Sequence, residues 1–187
     1  MEFTRLSGAT GQAAQLTALL HAAYAADEAL QIHFGAAKVR AEAVAQHIIN
    51  TPTFVLTDEQ QNLIATVSVR LPWGGNDPGP FKLPHLGWIA TNPEYQHHGY
   101  AKQIITLVIE QYIKETLNAP AVSLGTALEH PWLRQAYQSL GFIHVATVRK
   151  FPDHQTAYLV KILNKEQALK LNDSYFQTVL AKPVNNP

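Results

Sequence analysis

The sequence predicts an α/β (α+β) fold, a mixed sheet of about seven strands flanked by helices, and three observations carry the prediction. Short apolar, β-branched runs recur at residues 53–57, 63–71, 86–90, 121–127 and 156–162, and such runs fit strands. Between them lie stretches of helical periodicity, clearest in Ile104, Ile105, Leu107, Val108, Ile109, Tyr112, Ile113 and Leu117. Proline and glycine clusters separate the two kinds of segment. At 187 residues and 47% hydrophobic, the chain can bury one core and is short for two, so residues 1–187 read as one domain.

The order begins with a strand at residues 3–6 and a helix after Gly11, whose buried face is Leu16, Leu19, Leu20, Ala23 and Tyr24. Val39, Ala43, Val44, His47 and Ile48 mark a second helix, and Asn50-Thr51-Pro52 ends it because proline cannot continue it. The strands at 53–57 and 63–71 flank a polar hairpin connection, Asp58-Glu59-Gln60-Gln61-Asn62. Pro72-Trp73-Gly74-Gly75-Asn76-Asp77-Pro78-Gly79-Pro80 sustains neither regular structure and reads as a loop. Leu86-Gly87-Trp88-Ile89-Ala90 is a short buried strand that Asn92-Pro93 stops. After the long helical pattern come a strand at 121–127, a helix at 131–140 and a closing hairpin from 142–151 and 156–162. Residues 165–180, interrupted at Asn172-Asp173-Ser174, read as a terminal helix before a frayed end at 183–187.

Fourteen basic and fourteen acidic residues leave no net charge, and no run of Lys or Arg marks a nucleic-acid or membrane surface. The absence of cysteine excludes disulfides, thiolate metal sites and a cysteine nucleophile. Met1-Glu2-Phe3-Thr4-Arg5-Leu6 lacks the pattern of a secretion signal, and no apolar stretch reaches membrane-spanning length, so a soluble cytoplasmic protein is expected. Nine histidines raise the question of a metal. His97 and His98 are adjacent and point apart on most backbones, and no His-x-x-x-His or spaced carboxylate accompanies them, so no metal is expected.

The most informative segment is Asn92-Pro93-Glu94-Tyr95-Gln96-His97-His98-Gly99-Tyr100-Ala101, between the 86–90 strand and the long helix. The first turn of a helix has amides without intrahelical partners and the positive end of the macrodipole, so this segment can cradle an anion. Gly99 and Ala101 leave room for close approach. Gln96-His97-His98-Gly99-Tyr100-Ala101 matches Gln/Arg-x-x-Gly-x-Gly/Ala and resembles the pyrophosphate loop of the GCN5-related N-acetyltransferase (GNAT) family. That family also has a strand and a proline ahead of the loop and an amphipathic helix after it. Downstream, Ala136-Tyr137-Gln138-Ser139-Leu140-Gly141-Phe142 resembles the family's Tyr-x-x-Leu-Gly-Phe segment.

The resemblance implies a GNAT-like, mostly antiparallel central sheet with a splay between its two central parallel strands. It also implies transfer of an acetyl group from acetyl-CoA, the co-substrate, to an amine by direct attack, which suits a chain without a cysteine nucleophile. Backbone groups of Ile89, Ala90 and Thr91 would bond the pantetheine arm. The amides of Gln96, His97, His98, Gly99, Tyr100 and Ala101 would hold the pyrophosphate, with Lys102 adding charge. His130 stands where relatives often carry an Asn that touches the CoA arm or a water. Tyr137 would act as general acid toward the departing sulfur. A thiolate with a pKa of about 8.5 is already a tolerable leaving group and tyrosine sits at about 10, so this help is modest. Packing between helix and sheet is the competing reading of Tyr137.

The general base departs from the family pattern. Many members place Glu or Asp on the strand leading into the loop, where this chain has His85, Gly87 and Trp88. His85, with an ordinary pKa of about 6.5, could deprotonate an ammonium directly or through water; a loop-edge histidine facing solvent is the alternative. Glu129 and His130 are further candidates. Trp73, Trp88 and Trp132 could line an acceptor pocket; aromatics on strands and helix starts are more often core, so Trp73, in the Pro/Gly-rich loop, is the preferred candidate for acceptor contact. The acceptor, a small-molecule or peptide amine, is not fixed by sequence, though Asp27, Glu28 and Asp77 hint at a cationic one. A non-catalytic acyl-CoA binding module is the alternative function, and a homodimer stays open. The missing Gly-x-x-x-x-Gly-Lys and Gly-x-Gly-x-x-Gly motifs argue against other nucleotide-binding modules.

Overall fold

A computed structural model of the chain describes residues 1–74 and 80–171. Part of the expected 72–80 loop, and the end of the expected 165–180 helix with its tail, lie outside the described residues. The described strands are β1 (Glu2–Arg5), β2 (Thr53–Thr57), β3 (Leu63–Arg70), β4 (His85–Thr91), β5 (Ala121–Ala127), β6 (Ile143–Val148) and β7 (Thr156–Ile162). They form one sheet in the order β1-β2-β3-β4-β5-β7-β6. Neighbours are antiparallel except β4 and β5, which run parallel at the centre. The helices are α1 (Gln12–Ala29), α2 (Ala41–Asn50), α3 (Tyr100–Leu107), α4 (Leu133–Ser139) and α5 (Lys165–Leu169). None of the described helices is long and apolar enough to cross a membrane.

Local sequence explains most boundaries. Gly11 stands ahead of α1 in the left-handed region, with φ 88°. Gln12 then turns its side chain back, its Oε1 accepting the amides of Ser7, Gly8 and Ala9 at 3.2, 3.0 and 3.0 Å. β4 is longer than the 86–90 reading because His85 and Thr91, both polar, pair with Arg70 and Ala65 of β3. β6 is shorter than the 142–151 reading because its partner β7 begins at Thr156, opposite Val148. Val39 precedes α2, following a 3-10 turn at Gly35–Lys38 that apolar spacing does not announce. The long helix changes character after α3, continuing as a π-helix at Val108–Lys114 that keeps Val108, Ile109 and Ile113 buried.

The sheet has a core on each face. Val67, Val69, Leu86, Val122, Leu124 and Leu159 pack with Ile104, Ile105, Ile109 and Ile113 on the α3 side, and Tyr137 of α4 joins them. Leu16, Leu20, Val44 and Ile48 of α1 and α2 pack with Val55, Leu63 and Ala90 on the other side. Because side chains alternate along a strand, Ser68, Arg70, His85, Gly87 and Gly125 share this second face. There the helices do not cover the middle strands fully, and a cavity opens.

Two irregularities shape it. β4 pairs with β5 only at His85–Ser123 and Leu86–Leu124, then the strands part although each continues. This is the expected splay. Opposite β3, Thr66 faces Ala90 but Ser68 faces Gly87, so Trp88 and Ile89 oppose the single residue Val67. That is a β-bulge, and Trp88 carries φ 45° within it.

Candidate active site

The splay opens into a cavity of about 1150 Å³. One end is the loop ahead of α3. Asn92 starts it by accepting the Glu94 amide at 3.1 Å, and Tyr95 donates its hydroxyl to Asp58 Oδ2 at 2.8 Å. Gly99, at φ 80°, turns the chain into α3, whose first bond runs from the Gln103 amide to the Gly99 carbonyl at 3.0 Å. The amides from residue 97 to residue 102 have no acceptor among the described residues. Such a run at a helix start suits a phosphate. Gln96, His97, Gly99, Tyr100, Ala101 and Lys102 line the cavity. His98 does not line it; its Nδ1–H donates to the Gln96 carbonyl at 2.7 Å and its ring stacks on Tyr100.

Ile89, Ala90 and Thr91 form the next stretch of wall. The Ile89 carbonyl already accepts a bond from the Tyr24 hydroxyl of α1 at 3.1 Å. Tyr137 faces the same space from α4, and its ring edge meets Phe142. Its hydroxyl has no partner among the described residues. Burial, and then the charge of Asp27, raise its pKa well above the ordinary tyrosine value. Tyr137 thus combines a ring in the core with a protonated hydroxyl at the cavity.

Asp27 lies one helical turn beyond Tyr24, and buried His130 donates Nε2–H to its Oδ1 at 3.1 Å. Burial raises the Asp27 carboxyl, with His130 acting against the shift. Glu129, by contrast, accepts the Gln155 amide on both oxygens at 3.0 Å and ties down the β6–β7 connection.

The other end of the cavity is basic and aromatic. His85 is buried at its floor, paired through Nδ1 with Ser123 Oγ at 2.9 Å, and does not sit at a solvent-facing loop edge. Burial, then the charges of Arg70 and Lys150, hold its pKa well below the usual histidine value, so it is a neutral ring and a weak base. Arg70 and Lys150 also line the space, as do Phe34, Phe151 and Tyr158. Trp88 and Trp132 supply wall, the first stacked on His47 at 3.7 Å and the second edge-on to His130 at 4.5 Å. Trp73 is 69% exposed and lies outside that wall. Ser68, Thr91, Thr126 and Thr156 line the cavity with buried hydroxyl oxygens that have no hydrogen-bond partner among the described residues. Buried polar groups are rarely left so, and these fit a polar ligand. Among the described residues no group of three or more His, Asp or Glu is arranged to hold a metal ion.

Sequence reading did not assign Arg70 or Lys150 to the site, and it took in Tyr24 only as the start of the 24–34 segment expected to shape acceptor specificity. The spacing of Tyr24 and Asp27 on one helix face was the available signal.

Comparison with known proteins fits this geometry. Residues 20–142 match the acetyltransferase (GNAT) family, and the chain belongs to that family. It is an N-acetyltransferase, using acetyl-CoA to acetylate an amine. It is 34% identical over 154 residues to the S-(2-succino)cysteine N-acetyltransferase of Bacillus subtilis (strain 168), spanning 82% of this chain and 92% of that one. It is also 34% identical over 131 residues to the S-alkylcysteine N-acetyltransferase of the same organism, spanning 70% and 72%. Among solved structures, the NatC complex bound to Gag peptide and CoA shares the fold, with a TM-score of 0.63 and 16% identity over 87% of this chain and 98% of that one.

Proposed function

We propose that the protein transfers the acetyl group of acetyl-CoA to the α-amine of an S-substituted cysteine. The carrying observation is the basic, aromatic end of the cavity: Arg70 and Lys150 flank neutral His85, matching an amino-acid carboxylate. Phe34, Phe151 and Tyr158, which line the same cavity, suit a thioether substituent. The named activities of the two Bacillus subtilis relatives support this reading. It replaces the hint of a cationic acceptor drawn from isolated acidic residues.

On the donor side, the unpartnered amides from residue 97 to residue 102 hold the pyrophosphate, with Gln96 beside them and Lys102 adding charge. Ala90 and Thr91 carry the pantetheine arm. The Ile89 carbonyl is engaged by Tyr24, so Ile89 contributes through its remaining groups. Tyr137 protonates the leaving sulfur, His85 orients the acceptor and His130 borders the CoA arm. Such chemistry on a free metabolite belongs in the cytoplasm.

The test is a panel of acceptors followed by CoA release with a thiol reagent, to which a protein without cysteine adds no background. S-(2-succino)cysteine and S-alkylcysteines should outrun spermidine and a peptide N-terminus in kcat/KM. A preference for spermidine or the peptide would contradict the proposal.

A further inference from the structure

β4 carries no carboxylate, so it offers none to take the proton that an acceptor ammonium must lose. Among the described residues lining the cavity, Asp27 is the single carboxylate. Two independent contacts set its place. On α1, Tyr24 donates to the Ile89 carbonyl at 3.1 Å, which fixes this face of the helix over the splayed strand. From the β5–α4 connection, His130 holds Oδ1 at 3.1 Å and leaves the second carboxylate oxygen for another partner. Tyr137 lies near enough to feel the Asp27 charge, so the carboxylate and the group assigned to the leaving sulfur share one region. His85 is worse suited, with Nδ1 engaged by Ser123 and with Arg70 and Lys150 opposing its protonation.

We infer that Asp27, oriented by His130, is the proton acceptor of the reaction. The acceptor nitrogen gives a proton to the Asp27 carboxylate and forms its bond to the thioester carbonyl carbon. The C–S bond then breaks with its electron pair on sulfur as nitrogen gives its second proton to solvent, and the thiolate is protonated by solvent or by Tyr137, which regains its proton from solvent. Asp27 afterwards releases its proton to water. His130 is a positioning residue, acting through Asp27. The inference rests on amine acetylation and not on which amine is used.

The assay uses the full chain and whichever amine of the panel the wild type acetylates fastest. Failure of the S-substituted cysteine reading then shows as a different best amine and leaves the assay intact. Asp27→Asn keeps the side-chain shape and an oxygen for His130. Its kcat/KM should fall by about 100-fold or more near neutral pH, and the deficit should shrink as rising pH deprotonates the amine unaided. KM for acetyl-CoA should stay within about twofold. The ionisable groups facing Asp27 are Tyr24 on its own helix, Tyr137 on α4 and His130 on the connection. Both tyrosines are raised by burial and stay protonated, so neither supplies the ascending limb, which is assigned to Asp27. His130→Phe should move that limb to higher pH, because the carboxylate loses a bond that favours its charged form. An Asp27→Asn enzyme within about threefold of wild type at every pH would overturn the assignment. So would a pH-independent loss with a raised acetyl-CoA KM, which makes Asp27 structural.

Discussion

Tyr24 of α1 donates its hydroxyl to the carbonyl of Ile89 across 3.1 Å, binding a helix to the strand that leaves the sheet. Splayed strands have unpaired backbone groups, and this bond satisfies one of them. Tyr24→Phe should cost about 1 kcal/mol of stability, the usual net worth of such a bond, and should raise KM for acetyl-CoA several-fold. Unfolding curves and steady-state kinetics check both. Unchanged acetyl-CoA kinetics would show that the bond does not position β4.

Gly99 sets the entrance to α3. A Cβ there meets nothing within 4 Å, yet φ is +80°, so a side chain is opposed by backbone strain and not by crowding. Gly99→Ala should destabilise by about 1 kcal/mol and weaken CoA binding by tilting the amides of the loop. Calorimetric titration with CoA measures the second effect. Equal affinity would remove the loop from phosphate recognition.

Tyr137→Phe should lower kcat toward the lower end of the usual acid–base range, about 100-fold, with little change in KM for acetyl-CoA. The Tyr137 pKa is raised, so the hydroxyl stays protonated through the neutral range and should produce no descending limb there. An unchanged kcat would leave Tyr137 as core packing alone.

His47 gives a stability prediction with a definite sign. Burial, then the charge of Arg70, push its pKa from the ordinary 6.5 down to about 4. The unfolded chain therefore binds this proton at higher pH than the fold does. The resulting stability is complete above pH 6.5 and is lost as pH falls toward about 4. The loss is at most about 3 kcal/mol, and less to the extent that solvent screens the ring. His47→Phe, which can keep the stack on Trp88, should flatten this part of the acid dependence, as urea midpoints at neutral and acid pH would show. An identical pH dependence would contradict it.

β2, β5 and β7 were legible to the residue because apolar and β-branched runs there end at turn-forming or polar segments. β4 was read short because His85 and Thr91 enter it through pairing, which local pattern does not carry. The π-helical stretch leaves helical spacing nearly intact and was invisible for that reason. At the site, the loop could be placed from Pro93, Gly99 and the helix after it. Tyr137 was visible only through resemblance. Asp27 and His130 are 103 residues apart, and nothing in either neighbourhood says that α1 meets the end of β5 across the splay. Arg70 and Lys150 likewise carry no local signal that places both at one cavity.

The central claim is that this cavity acetylates an amino acid held by its carboxylate. The most direct measurement compares kcat/KM for S-(2-succino)cysteine with that for the same thioether built on cysteamine, which keeps the amine and lacks the α-carboxylate. A preference of about 100-fold or more for the amino acid, reduced at least about tenfold by Arg70→Leu, is the predicted result for a charge-assisted contact. Equal or faster acetylation of the cysteamine compound would contradict it.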